Sequence, residues 1–153
     1  MINALNAAKY MASVYQKKFG ETITEMKLHK LLYFAQREAL IAGDTPLFPE
    51  VFEGWRFGPV IPSIRYSFPE ICSSEVPKID CFSKEILNET LRRYGGKDPW
   101  SLSRLSHGEY SWQNSRKGVS EFQNSDNDIK LDDIRIDAKR VKERRQMLSD
   151  LGI

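Results

Sequence analysis

The chain has 153 residues, 41% hydrophobic and 29% charged, with 23 lysines and arginines against 21 acids and a net charge of +2. That balance suits one globular domain with its own core, and it excludes a disordered chain or one that needs disulfide or metal staples. The isoelectric point of about 8.5 lies below the roughly 9 that marks a dedicated nucleic-acid domain.

Nor does any apolar run approach the ~20 residues that span a bilayer. The start, MINALNAAKYMASVY, has no basic cluster ahead of an uninterrupted apolar stretch, so no secretory signal is expected. Cys72 and Cys81 are the only cysteines, expected as reduced thiols in a cytoplasmic protein.

In chain order, Leu5, Ala8, Met11, Ala12, Tyr15 and Phe19 stripe a helix over Ala4 to Phe19, which Gly20 stops. Thr22 or Thr24 caps a second helix that runs to Ala42. Leu28, Leu31, Leu32, Ala35 and Ala39 mark one face of it, and Tyr33 and Phe34 widen that face until the helix is expected to be buried nearly all round. Val51 to Phe57 alternates like a strand, with Val51, Glu53, Trp55 and Phe57 on one side and Phe52, Gly54 and Arg56 on the other. Pro62 opens a short helix that Pro69 ends, and Glu70 to Phe82 is loop-like.

Ser83 caps a helix to Tyr94; Asp98-Pro99 starts another that His107-Gly108 closes; Ser111 to Arg116 is one more turn. Residues 118–128 are polar and expected to be a mobile loop. Ile129 to Leu131 suits a brief strand, and Asp132 or Asp133 caps a helix over 132–148 with Ile134, Ala138, Val141 and Leu148 inward. The pattern predicts a mainly α, compact single-domain helical bundle over 1–153, with a small irregular β element around residues 51–57.

Chemistry-bearing residues are sparse. His29, Cys72, Cys81 and His107 lack the close pairing of zinc ligands, so no metal is expected, and no phosphate-loop motif calls for a cofactor. A hydrolase built on Cys72 or Cys81 with His107 has no nucleophile turn behind it, so no enzyme is expected. The run Lys139, Arg140, Lys142, Arg144, Arg145 is the nucleic-acid alternative. However, 126–153 holds seven bases and seven acids, as a solvated amphipathic helix does. Aromatics concentrate at Trp55, Phe57, Tyr66, Trp100, Tyr110 and Trp112; such rings are mostly core, yet Trp, Tyr and Arg also dominate protein interfaces.

Three blocks carry a resemblance. They are Ile23-Thr24 with Leu28-His29-Lys30-Leu31-Leu32-Tyr33-Phe34-Ala35-Gln36; Pro46-Leu47-Phe48 with Trp55-Arg56-Phe57-Gly58-Pro59-Val60-Ile61-Pro62-Ser63; and Leu102-Ser103-Arg104-Leu105-Ser106-His107-Gly108-Glu109 with Trp112 and Ser115-Arg116. Their order resembles the Panacea domain of SocA-like, phage-associated antitoxins. Arg37, Glu38, Ser106 and Tyr110-Ser111 depart from the family pattern. The resemblance implies a non-enzymatic, mostly helical antitoxin, without cofactor, that binds and neutralises a toxin protein encoded beside it. A nucleic-acid-binding regulator, or an adaptor that delivers a partner to a protease, are the alternatives. The expected toxin-binding surface is Trp55, Arg56, Gly58, Pro59, Arg65, His107 and Trp112, because two prolines stiffen a turn that carries Trp and Arg. The competing role for these residues is to pin the strand to the helices.

Overall fold

Thr24 opens the central element. In the computed structural model, which describes residues 1–153, its hydroxyl accepts the Lys27 amide at 3.2 Å and starts α2, Glu25–Gly43. Every residue from Lys27 to Leu40 is buried, so the helix is enclosed as its sequence predicts. Enclosure obliges its polar side chains to find partners inside. The Gln36 amide donates to Phe48 O at 2.9 Å and accepts from Leu47 N at 2.7 Å. Lys27 Nζ donates to Tyr15 Oη and Gly95 O, each at 2.9 Å.

The remaining six helices pack around α2. Helix α1 (Ala4–Phe19) is capped by Asn3 and stopped by Gly20 at φ 72°; α3 is Pro62–Ser73, α4 Cys81–Tyr94, α5 Pro99–His107, α6 Tyr110–Ser115 and α7 Leu131–Asp150. One continuous core of 29 buried residues joins them. The fold is mainly α, with one two-stranded antiparallel sheet, β1 (Glu53–Trp55) and β2 (Gly58–Val60). No helix is long and apolar enough to cross a membrane.

Several local expectations need correction. The strand expected over 51–57 is half of a hairpin: Glu53 pairs with Val60, Gly54 with Pro59 and Trp55 with Gly58, and Arg56-Phe57 is the turn. Phe52 and Gly54 point inward as the alternation predicts, but the turn brings the Arg56 guanidinium to 4.9 Å from the Phe57 ring instead of sending it to the opposite face. Pro69 lies inside α3, not at its end. Pro69 and Arg65 are exposed, so the Arg65 carbonyl that loses its partner can be hydrated.

Asp80, not Ser83, caps α4 by accepting the Ser83 amide at 2.8 Å, which places Cys81 and Phe82 in the helix. Helix α7 starts at Leu131 with Lys130 as its cap residue, so Asp132 and Asp133 occupy its first turn, and Leu148 is 38% exposed. The polar segment 118–128 is tied to the hairpin. Asn124 Oδ1 accepts the Arg56 amide at 2.8 Å, Asn127 O accepts the Gly54 amide at 2.8 Å, and Asp128 bridges Glu53.

Candidate functional site

The hairpin stands over the first turns of α2 and closes a pocket of about 510 Å³. His29 and Lys30 form its α2 wall, Trp55 to Gly58 come from the hairpin, Arg65 from α3, and Phe122 from the polar segment. Arg65 lies 5.3 Å over the Trp55 ring and 3.4 Å from the Glu25 carboxylate. Arg56 sits between two rings, 4.9 Å from Phe57 and 5.8 Å from Phe122. Neither Arg56 nor Lys30 forms an ion pair.

Lys30 is only 2% exposed, and burial lowers its ammonium to about 8, with Glu25 pulling the other way. It therefore stays mostly charged at neutral pH. His29 beside it finds no hydrogen-bond partner for either ring nitrogen. Burial, then the charges of Lys30 and Arg65, push the imidazole down to about 3, so it is neutral. The pocket thus holds two cationic side chains without carboxylate partners, Lys30 and Arg56, beside the rings of Trp55, Phe57 and Phe122.

The other flank of the hairpin is a support. Trp112 donates its indole N–H to Trp55 O at 2.8 Å and stacks on His107 at 4.1 Å. Arg116, 6% exposed, donates to Gly54 O at 3.1 Å, to Ser120 O at 3.0 Å and to Gln123 O at 2.5 Å. Gly54 permits this approach, since a Cβ there would lie 3.1 Å from Ser115 Cβ and overlap its hydroxyl. Gly58 adopts φ 123° with the Lys30 side chain where its Cβ would be.

Of the seven residues singled out in the sequence, Trp55, Arg56, Gly58 and Arg65 line the pocket. Pro59 is buried in β2, and His107 and Trp112 brace the hairpin from behind. His29, Lys30 and Phe122 belong to the site and were missed. Two polar residues in an otherwise apolar run were the available signal for the first two; nothing local marked Phe122. Cys72 and Cys81 are free, and Cys72 lines a cleft with Lys9, Ala12 and Ser13 of α1, while His107 faces Trp112. The basic run of α7 divides: Lys139 and Lys142 border Leu40 and Asp44, whereas Arg140, Arg144 and Arg145 face α4 and α5.

A family model described as antitoxin SocA-like, Panacea domain, matches residues 28–113. The chain belongs to this family. Comparison with curated proteins and with solved structures gives no match. The Panacea match opens on α2 at Leu28 and closes in α6 at Gln113, so it spans the hairpin, most of the pocket and Trp112. Phe122, Asn124 and the whole of α7 lie outside it. Membership in an antitoxin-like family points to a protein partner and to a role other than catalysis.

Proposed function

We propose that this chain is the antitoxin of a toxin–antitoxin pair and neutralises its toxin by direct binding, with the hairpin pocket as anchor site. The observation that carries this reading is the pairing of rigid rings with unpaired cations. Trp55 is held at its carbonyl by Trp112 and at its indole N–H by Glu53 at 2.9 Å, with Arg65 over the ring, while Arg56 and Lys30 lack carboxylate partners. Aromatic and arginine side chains fixed before contact lose little freedom on binding, which is the character of interface hot spots.

Arg56→Ala and Arg65→Ala test the site, because both side chains stand at the rim and neither closes a buried ion pair. In co-expression with the toxin from the neighbouring open reading frame, at least one is expected to abolish neutralisation while circular dichroism and Tm stay near wild type. Early melting of both would assign these arginines to the fold. Full neutralisation by both folded variants would move the contact surface elsewhere.

A further inference from the structure

A second cleft, of about 520 Å³, lies on another face between α4, α5 and α7, with α2 as its floor. Seven cationic side chains and two carboxylates line it. Three of the cations are engaged. Arg37 pairs with Glu109 across the floor, Arg93 with Glu89 at 2.7 Å, and Arg145 grips Glu38 through two bonds of 2.9 and 2.6 Å. The four others, Lys97, Arg104, Arg140 and Arg144, have no carboxylate partner; Arg104 donates only to Ser101 Oγ, and Arg140 lies over the Tyr110 ring.

Neither acidic group is free to neutralise them. Glu109 is held by Arg37, and Asp137 accepts from Tyr110 N at 2.8 Å, Ser111 N at 2.9 Å and Tyr33 Oη at 3.3 Å. At the floor, Arg37 is 4% exposed and its Nε–H has no partner. Like charges gathered from α5, α7 and the α4–α5 loop without counter-charges repel one another, and the fold retains them at that cost.

We propose that this cleft binds a small oligophosphate, such as a nucleoside di- or triphosphate. One phosphate monoester carries about −1.5 to −2 charges near neutral pH, so four free cations match two or more linked phosphates better than one. Guanidinium groups suit phosphate oxygens because they donate in a planar fork. Leu105, 43% exposed, and Leu148, 38% exposed, lie against the cations and offer an apolar edge to the rest of the ligand. The geometry favours a compact ligand over a nucleic-acid backbone. The free cations converge from α5, α7 and the α4–α5 loop on one concavity, while Lys139 and Lys142 of the same run face away from it.

Titration calorimetry of the full chain at about 0.15 M salt with inorganic tripolyphosphate, ATP and a single-stranded oligonucleotide tests this. Saturable binding of tripolyphosphate or ATP is expected, weakened at least tenfold in Arg140→Gln/Arg144→Gln. The charge-matched control Lys139→Gln/Lys142→Gln should bind like wild type, since all four side chains are exposed and each double variant loses two charges. Tighter binding of ATP would place the nucleoside on the leucines; equal affinities would assign the site to the phosphate chain alone. The proposal is overturned by no saturable binding of either, by equal weakening in both double variants, or by binding of the oligonucleotide alone.

Discussion

His29 shows at a single residue how this interior handles charge. Its imidazole, normally near 6.5, is lowered to about 3, chiefly by burial. Between those values the unfolded chain takes up a proton that the folded chain refuses. Stability therefore falls as pH drops, by about 1.4 kcal/mol per unit. Glu109 works in the opposite sense from 4.5 up to about 7, because burial and Asp137 outweigh Arg37 and let the folded state keep a proton that the unfolded state gives up. Subtracting profiles isolates the histidine. In urea unfolding, His29→Met is expected to gain about 2 kcal/mol on wild type between pH 7 and pH 5, from 1.5 units below 6.5. Parallel profiles would show that His29 is protonated in the folded protein.

Among the elements, α2 is the one whose loss should be felt most. Leu31 and Leu32 are fully buried, and Leu31→Ala or Leu32→Ala should each cost about 2–5 kcal/mol in chemical denaturation. A cost below about 1 kcal/mol would mean that the side chain is not enclosed. This helix was legible because Leu28, Leu31, Leu32, Ala35 and Ala39 repeat with its period, and α1 because Gly20 supplies the left-handed stop. The hairpin turn was not legible. Arg56 and Phe57 keep negative φ and the unusual torsion falls on Gly58, so no Asn-Gly pair marks the reversal. The start of α4 was missed because Asp80 and Ser83 are both good caps, and only the bond formed tells them apart. In the site, Trp55, Arg56 and Arg65 stood out by residue type. Lys30 and His29 were masked by the apolar period of their own helix, and Phe122 reaches the pocket only through the fold of a segment with no periodicity.

Across the whole molecule, α2 is tied to α1, α4, α6, α7 and the loop at residues 47–48 by different polar side chains. Lys27 holds the end of α4 and a ring of α1; Tyr33 meets Ser111 of α6 and Asp137 of α7; Gln36 holds the loop at Leu47 and Phe48; Arg37 reaches Glu109 and Tyr94; Glu38 holds Arg145 of α7. Lifting any of these would leave an interior donor or acceptor stranded, at about 1–3 kcal/mol each and more for charged groups. The consequence concerns time. Partial openings that lift these neighbours from α2 are each penalised, so its amide hydrogens are expected to meet solvent only when the entire chain comes apart. In native-state deuterium exchange, amides 31–39 should form the slowest class and share one free energy with global unfolding by denaturant. A faster class within that stretch would reveal a layer that detaches alone. Without such a layer, the chain behaves as a single rigid body, and the lifetime of its α2 amides is the lifetime of the molecule.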